Sequence, residues 1–510
     1  MDRTAGLSRR AFGLGVVGTA AVTAAAVATG TVVLLDGDDV DPTGAADSSG
    51  GIQRRIDDAP DGAVIAIPAG AVLRCTSTIT LGGTGKSLVG PGELRFTEGV
   101  DDAAALLVTG NGSRIAQVTV TNPNELIGTP DGRRSSGIDI NAHDVTVTDC
   151  RVDRFNHGIV VAADGEWLGA QILGNRVTNV VGAGGGRGSD SPEGEDRGDG
   201  ITVWGAQATV VGNVVSALPG TDARIGIHAE ALGDGAEERP PHSDAMVTIS
   251  GNVVTGPFRR SIVLEEIDSG TVVGNTCADA TWWSIALISG SACLVADNTI
   301  RYSRTADDDQ GYAYSPVRAA VQVYGGRGHV VRGNTVTVTG DADAFVVLTE
   351  LGSPPEDALV SGNSCQVAEG GSCTRGVSMV GDRGPVRPRV TGNVFSGMST
   401  AGIYLGGATS PDVEGNTVVG GAGCEHGVLG DAAANSGAAV LGNRIVDCGT
   451  GIGLFFVTSA LVSANTTQGC ATAIDLFESG GVVAVGNLSI GAGSAVANRG
   501  TNTVLPEPAG

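Results

Sequence analysis

Two glutamates and one histidine are the residues in this sequence best suited to proton transfer. Glu230 and Glu265 each close a short segment in which apolar and polar residues alternate, and His228 lies two residues before Glu230. On neighbouring turns of one structure the two carboxylates would repel each other, so one should keep its proton near neutral pH. A general acid beside a base needs this difference. A separation of about 5 Å would also match the carboxylate pair of a retaining glycoside hydrolase.

Arginines and aromatic residues stand close to these positions. Arg224 precedes the segment that contains Glu230, and Arg259 and Arg260 precede the one that contains Glu265. Guanidinium groups could hold the carboxylate of a uronic acid, and aromatic rings could stack on sugars. The predicted catalytic group is Glu230, Glu265, His228 and Arg259, and the predicted substrate-binding group is Trp204, Arg224, Arg260, Tyr324, Asp139 and Asp199. The alternative is that these charges are solvated and form surface ion pairs that contribute little to stability.

An acidic segment offers the hard oxygen ligands that calcium prefers. Its acidic residues are Asp190, Glu193, Glu195, Asp196 and Asp199. The glycines between them suit a solvated loop equally well. No cysteine spacing resembles a zinc site, so calcium is the one cofactor left open, and no metal ligand is predicted.

A repeated phrase, Gly-Asn-x-Val and its variants, defines the elements that must position these residues. Its asparagines stand at positions 175, 213, 252, 275, 298, 334, 363, 393, 416, 443, 465 and 487. The shortest spacings, 22 and 23 residues, give the basic coil, and longer spacings indicate insertions in loops. Short alternating strands predict three strands per coil and a rise of about 4.8 Å, hence a parallel β-helix. Each asparagine is predicted to adopt the left-handed backbone of a sharp turn and to stack its amide on the next.

A second phrase, Gly-Ile-x-Val-x, precedes the asparagine turns and directs its two x positions outward. The first outward column includes Asp139, Thr202, His228, Gln322 and Val346, and the second includes Trp204, Glu230, Glu265, Tyr324 and Leu348. Polar and aromatic members concentrate between residues 139 and 324, and the later coils are bland. Insertions at Gly182 to Arg197, Leu232 to Ser243 and Tyr302 to Pro316 flank the same coils, which predicts a groove walled by loops.

Composition favours a strand-rich chain and excludes some partners. Of 510 residues, 82 are glycine, and the net charge of −24 argues against nucleic acid or an anionic membrane as a partner. Lys86 is the single lysine, so Schiff-base chemistry is poorly served. Nine cysteines leave at least one outside any intramolecular pair. Cys448 and Cys470, each five residues after a repeated asparagine, should lie in one column, either as stacked thiols or as a disulfide.

The N-terminal segment is predicted to be an export signal. A Ser-Arg-Arg motif at residues 8–10 resembles the twin-arginine signal, and residues 13–35 carry no charge. A cut after Ala28 fits the small residues there, and retention as a membrane anchor is the alternative. Residues 1–35 are therefore assigned to the signal. The protein is expected to be secreted or held at the cell surface by the twin-arginine route, with no membrane contact after cleavage.

The chain that follows resembles the right-handed parallel β-helix superfamily, which includes pectate lyases, polygalacturonases, alginate epimerases and phage tailspikes. The resemblance lies in Asp-Pro-Thr-Gly at residues 41–44, an amphipathic stretch at 52–57 and a buried-strand pattern at 64–70, and it extends over about residues 40 to 500. It implies an all-β fold, a single right-handed solenoid over residues 36–505. The amphipathic stretch predicts a short helix, capped by Ser48 or Ser49, that closes the N-terminal end.

Motifs of single subfamilies are present only as fragments. The Asn-Thr-Asp, Asp-Asp and Gly-His-Gly of polygalacturonases are incomplete, and the Asp-Pro-His of alginate epimerases is absent. Arg259 or Arg260 loosely matches the arginine base of the calcium-dependent pectate lyases. No subfamily follows from these fragments.

The favoured function is an exported polysaccharide lyase or glycoside hydrolase that acts on an acidic, uronic-acid-containing polysaccharide, as a monomer. The enrichment of polar and aromatic residues between 139 and 324 supports it. A non-catalytic carbohydrate-binding or cell-surface β-helix is the first alternative. An accessory protein for a metal enzyme is the second, and the six histidines and four methionines count against it.

Overall fold

The short alternating segments of the sequence all form strands. The computed structural model describes residues 31–98, 100, 103–123, 135–161, 167–182, 198–205, 207–231, 246–304, 317–420, 423–431 and 435–505. Within them the chain forms strands β1–β48 and one helix, α1 (Ser49–Asp58). The strands form the three faces of a solenoid, and within each face they run parallel. Each coil contributes one short strand to each face, and that strand pairs with the strands of the coils before and after it.

The first face is formed by β4 (Ile79–Leu81), β7 (Ala104–Val108), β10 (Ser136–Ile140), β13 (His157–Val161), β16 (Asp199–Trp204), β19 (Ile225–Glu230), β22 (Arg260–Glu265), β25 (Trp283–Ile288), β28 (Ala319–Tyr324), β31 (Asp341–Thr349), β34 (Ser372–Met379), β37 (Ala401–Leu405), β40 (His426–Gly430), β43 (Thr450–Phe455), β46 (Thr472–Val485) and β48 (Ser494–Val504). The second face is formed by β1 (Val32–Leu34), β2 (Val64–Ala66), β5 (Ser87–Val89), β8 (Arg114–Ala116), β11 (Thr146–Thr148), β14 (Ala170–Leu173), β17 (Ala208–Val211), β20 (Val247–Ser250), β23 (Thr271–Val273), β26 (Leu294–Ala296), β29 (Val330–Arg332), β32 (Leu359–Ser361), β35 (Arg389–Thr391), β38 (Asp412–Glu414), β41 (Ser436–Leu441) and β44 (Thr458–Ser463), and β46 runs on into it. The third face is formed by β3 (Val72–Cys75), β6 (Glu93–Phe96), β9 (Thr119–Thr121), β12 (Arg151–Asp153), β15 (Arg176–Val180), β18 (Val214–Ala217), β21 (Val253–Thr255), β24 (Thr276–Ala278), β27 (Thr299–Tyr302), β30 (Thr335–Val338), β33 (Ser364–Val367), β36 (Val394–Ser396), β39 (Thr417–Val419), β42 (Arg444–Val446), β45 (Thr466–Gln468) and β47 (Leu488–Ile490).

The repeated asparagines form a continuous ladder inside the solenoid. The Oδ1 of Asn213 accepts hydrogen bonds from the backbone N–H of Asn175 (2.8 Å) and from its Nδ2 (3.0 Å), and the same pattern continues to Asn487. The predicted stacking of amides is confirmed. The predicted left-handed backbone is wrong for the asparagines themselves, because it falls on the residue before each, such as Gly212 with φ +69°.

Glycine opens the first-face strands for a steric reason. At Gly226 a Cβ would lie 2.3 Å from Cγ1 of Val254 on the third face, and Gly137, Gly158 and Gly200 meet valines at the same distance. Real side chains do not approach this closely. The Gly-Ile phrase therefore marks where the first and third faces come together, and it fixes which residues that follow point inward.

A helix closes the N-terminal end of the coil, as predicted. α1 buries Ile52 and Ile56 against the core, and Ser48 is its N-cap residue. The Ser48 side chain makes no capping bond; instead Oδ1 of Asp47 accepts from the Ser49 N–H (3.1 Å). At the other end, Lys86 Nζ donates to the Ile56 carbonyl (2.7 Å), a favourable place for a cation. No helix among the described residues is long and apolar enough to span a membrane.

The predicted cysteine column exists and consists of thiols. Cys448 and Cys470 are buried and form no disulfide, and Cys424 continues the column, with its Sγ 3.2 Å from Sγ of Cys448. All nine cysteines of the chain are buried free thiols in this structure. The column thus adds packed sulfur atoms to the core.

Candidate functional site

Register places the predicted catalytic residues on three adjacent coils of the first face. Trp204 pairs with Glu230, and Glu230 pairs with Glu265, so these residues form one outward column on β16, β19 and β22. His228 lies in the neighbouring outward column, between Thr202 and Val263. The alternation of the sequence thus brings the two carboxylates and the imidazole together, as predicted.

The imidazole of His228 lies between the two carboxylates. Its Nε2 is 3.5 Å from Oε2 of Glu265 and 3.8 Å from Oε2 of Glu230. One oxygen of each glutamate and one ring nitrogen all lie within 4.8 Å of one another. The His228 side chain is 2% exposed, whereas those of Glu230 and Glu265 are 26% and 34% exposed. The two carboxylates are therefore accessible to solvent, and the histidine is buried beneath them and contacts both.

A buried ion pair holds His228 from the other side. Asp199 is fully buried, and Arg224 binds it through two nitrogens, with Nε 2.8 Å from Oδ1. Asp199 Oδ2 lies 3.4 Å from Nδ1 of His228 and accepts from the Thr202 hydroxyl (3.3 Å). Because Asp199 has no exposed surface, the prediction that it contacts substrate is wrong. The guanidinium group of Arg224, which was also predicted to bind substrate, is paired with Asp199 and lies 3.2 Å from Nδ1 of His228.

Charge and burial give the two glutamates different proton affinities. Burial raises the pKa of Glu230 to about 7, and repulsion from Glu265 adds to this against the opposing effect of His228. Burial also acts on Glu265, but the contact with His228 and the charges of His228 and Arg260 outweigh it and lower its pKa. For His228, burial is outweighed by Asp199 and Glu265, which raise the pKa of the imidazole. Below about pH 7 the arrangement is therefore a mostly protonated Glu230 beside an ionised Glu265.

Arg259 and Arg260 occupy positions unlike those expected. Arg259 is 4% exposed and forms a two-point ion pair with Asp222, with Nη2 2.7 Å from Oδ2. The predicted catalytic role of Arg259 is therefore wrong, since a buried, paired guanidinium cannot reach a substrate. Arg260 is partly buried and lies over the rings of Trp282 and Trp283, 5.0 Å from each centroid.

Aromatic residues flank the carboxylates along the same column. Trp204 is one coil before Glu230, and Tyr324 is two coils after Glu265. At about 4.8 Å per coil, the four steps between coils from Trp204 to Tyr324 span about 19 Å, the length of several sugar units. Tyr324 contacts Trp283 edge to face at 5.4 Å. Asp139 lies on the His228 column, further towards the N-terminal end.

Two aromatic clusters were missed at the sequence level. Trp282 and Trp283 join apolar first-face residues in a second hydrophobic cluster outside the main core. The later coils are not bland either, because Phe455 and Phe477 lie on the first face with Arg499 4.6 Å over the Phe477 ring. Aromatic residues at outward positions were the available signal in both cases.

One predicted register is wrong by a single residue. Gln322 pairs with Val347 and Tyr324 with Thr349, so Val346 and Leu348 point inward. The error arose in β31, whose nine residues begin earlier than the repeat phrase indicated. The site is unaffected because the shift begins beyond Tyr324.

Several sequence predictions lie outside the described residues. They include the export signal up to residue 30, most of the three insertions, and the acidic residues Asp190, Glu193, Glu195 and Asp196. Asp199, the remaining member of the acidic segment, is the ion-pair partner of Arg224. In the described residues, one cluster of three or more potential metal-binding side chains occurs, formed by His228, Glu230 and Glu265.

Comparison with known proteins identifies the class of the fold. Residues 375–504 match the family model described as right handed beta helix region. A DFA-IIIase mutant from Arthrobacter chlorophenolicus A6 aligns with a TM-score of 0.50 and 14% identity, over 71% of this chain and 94% of that one. The tailspike protein of E. coli bacteriophage HK620, in complex with a pentasaccharide, aligns with a TM-score of 0.47 and 13% identity, over 88% of this chain and 75% of that one. A search of curated proteins finds no match.

These findings show the fold. The chain is a right-handed parallel β-helix. At 14% identity the likeness does not extend to the reaction or to the residues that carry it, so the chemistry of the site must be argued from its own geometry.

Proposed function

We propose that the protein is a carbohydrate-active enzyme that hydrolyses a glycosidic bond of a polysaccharide. Glu230 and Glu265 are the two catalytic carboxyl groups, and the bond is cleaved in the space between them. The observation that carries this proposal is the closeness of the two carboxylates, whose oxygens lie within 4.8 Å on adjacent coils of a partly exposed face. Retaining glycosidases hold their two carboxyl groups about 5 to 5.5 Å apart, and inverting ones hold them further apart.

The surroundings of the two residues assign their roles. With a pKa of about 7, Glu230 keeps its proton at pH values below 7 and donates it to the leaving oxygen. Glu265 stays ionised beside His228 and Arg260, and it attacks the anomeric carbon to form a glycosyl intermediate. Water then releases the sugar, with Glu230 acting as the base.

A hydrolase fits the site better than a lyase. A lyase must neutralise the uronic acid carboxylate, and the arginines expected to do so are Arg224, Arg259 and Arg260. Arg224 and Arg259 are paired with buried or nearly buried aspartates, Asp199 and Asp222, and the guanidinium of Arg260 lies over the rings of Trp282 and Trp283. The substrate of the proposed reaction is therefore a polysaccharide whose sugar unit at the carboxylates is uncharged, with Trp204 and Tyr324 supporting neighbouring units.

The experiment is a panel of neutral and uronic-acid polysaccharides, assayed for both reducing ends and the absorbance of unsaturated products. We expect reducing ends without unsaturated product, and retention of anomeric configuration in the first product seen by NMR. Glu230→Gln and Glu265→Gln should each lower this activity by a factor on the order of 100 or more, and Glu266→Gln, which changes the adjacent carboxyl outside the cluster, should not. Unsaturated product, or activity that survives both changes, would contradict the proposal.

We further propose that the protein acts outside the cytoplasm as a monomer. The twin-arginine motif at residues 8–10 supports export. A cut after Ala28 would leave β1 in the mature chain, and β1 pairs with β2 through Val33 and Ile65. Cell fractionation and light scattering of the purified protein test both statements. A protein found only in the cytoplasm, or a mass of two or more chains, would contradict them.

A further inference from the structure

The His228, Glu230 and Glu265 cluster has the donor atoms of a metal site as well as those of an acid–base pair. A ring nitrogen and two carboxylate oxygens lie within 4.8 Å of one another, and they converge from β19 and β22 on one point of the first face. Zinc with ligands at about 2.1 Å separates its donors by about 3.4 Å in a tetrahedron. Two of the three separations here, 3.5 and 3.8 Å, are already close to this value.

A buried nitrogen without a regular hydrogen bond points into the cluster. Nε2 of His228 belongs to a residue that is 1% exposed, and its polar contacts are the longer ones to the carboxylate oxygens of Glu265 at 3.5 Å and Glu230 at 3.8 Å. An imidazole nitrogen buried in this state carries a cost unless a proton donor, an acceptor or a cation meets it. The ring cannot turn away, because its other nitrogen lies 3.4 Å from Asp199 and 3.2 Å from Arg224.

The group behind the histidine is the one that metal-binding histidines use. A histidine that binds a metal through one nitrogen almost always has its other nitrogen at a carboxylate, carbonyl or water, which fixes the ring and its tautomer. Asp199 takes that place for His228, and Arg224 and Thr202 hold Asp199 in turn. Imidazole with two carboxylates suits a transition metal such as Zn²⁺ or Co²⁺ better than Ca²⁺, which prefers oxygen ligands alone.

We propose that His228 Nε2, Glu230 and Glu265 bind one divalent transition-metal ion, and that this ion inhibits the enzyme. The proposal rests on the proposed function for its inhibitory half, since the ion would occupy both carboxylates that the hydrolysis needs. The partly exposed glutamates can move towards the ion, whereas the buried histidine is already in place. Three protein ligands leave one position for water.

Metal binding is tested directly on the whole protein, stripped with a chelator and dialysed. Co²⁺ is titrated while its visible absorption is followed, and Zn²⁺ is titrated by calorimetry at fixed pH. We expect one ion per chain. Glu265→Gln and His228→Asn should each weaken binding at least 100-fold, Asp199→Asn should weaken it 10- to 100-fold through the histidine, and Glu266→Gln should leave it unchanged. Circular dichroism establishes that each variant is folded, and Glu265→Gln keeps the test valid if His228→Asn is not.

The outcomes separate this proposal from the proposed function. One-to-one binding that depends on Glu265 supports the metal site even if no polysaccharide is cleaved. Absence of binding, or binding equally strong in Glu265→Gln, overturns it even if the enzyme is active. Where both activities are present, Zn²⁺ should lower turnover at the concentration that fills the site, and full activity of the zinc-loaded protein would overturn the inhibitory half.

Discussion

Glu230 and Glu265 occupy equivalent positions on adjacent coils, yet their substitution should affect turnover differently. Glu230→Gln removes the proton donor and Glu265→Gln removes the nucleophile, each with little change in shape. Turnover should therefore fall by a factor on the order of 100 or more while the melting temperature stays nearly constant. For a substrate with a good leaving group, which needs no acid, Glu230→Gln should recover much of its rate in the first step. Glu265→Gln should not. Equal losses with both kinds of substrate would contradict the assigned roles.

The pH dependence of activity should follow the proton on Glu230. Burial raises its pKa to about 7, and the acid form is the active one, so activity should be lost as pH rises through about 7. The ionised form of Glu265, whose pKa is lowered, sets the acid side. The measurement is the profile of kcat/KM from about pH 4 to 9 with a chelator present. A basic limb that stays in place in Glu230→Gln would show that another group titrates.

The sequence predicted which residues gather at the site better than it predicted their pairing. Alternation brought Glu230, Glu265 and His228 to one face because side-chain direction has a period of two. The ion pairs of Arg224 with Asp199 and of Arg259 with Asp222 join residues 25 and 37 positions apart. Such pairings depend on the lengths of the turns and insertions between coils, and the sequence pattern does not specify these lengths in space.

At the level of the strand, the asparagine ladder should carry stability and not activity. Asn393→Ala removes an amide that donates to Val360 and Asn416 and accepts from Asn363, leaving buried groups unpaired. We expect a loss of about 1 to 3 kcal/mol in the free energy of unfolding. Asn498→Ala, at an exposed position, should change it by less than about 0.5 kcal/mol. Denaturant unfolding measures both. A loss of activity per folded molecule in Asn393→Ala would argue against a purely structural ladder.

The contact between the first and third faces should be equally sensitive to volume. In Gly226→Ala the new Cβ would meet Cγ1 of Val254 at 2.3 Å, and overpacking of this kind costs about 1 to 3 kcal/mol. The double variant Gly226→Ala, Val254→Ala should be more stable than the sum of the two single losses predicts, because the second change removes the contact with Val254 and leaves only the one with the Ser261 carbonyl oxygen at 2.6 Å. Strictly additive losses in thermal unfolding would mean that the contact with Val254 does not limit the volume at this position.

The repeat predicted the elements well and their details less well. Asparagines every 22 or 23 residues identified the coil because a ladder requires one amide at the same place in each turn. The left-handed residue lies one position earlier because the asparagine side chain must point inward to reach its neighbours. Glycine, as at Gly212 or Gly251, adopts φ > 0 with less strain than asparagine does. In β31 the predicted register was wrong by one residue, because a nine-residue strand contains more than one segment of alternating pattern.

At the scale of the molecule, the coils should stay together when the chain is cut. A break anywhere between residues 183 and 197 separates β15 from β16 along the chain. Three parallel pairings still cross that point, joining β13 to β16, β14 to β17 and β15 to β18. An engineered protease site there should therefore give two bands under denaturing conditions and a single species of unchanged mass on native size exclusion. A cut protein should also retain activity, because Asp199, His228, Glu230 and Glu265 all lie on the C-terminal fragment. Two fragments that elute separately and remain folded would contradict a single continuous solenoid.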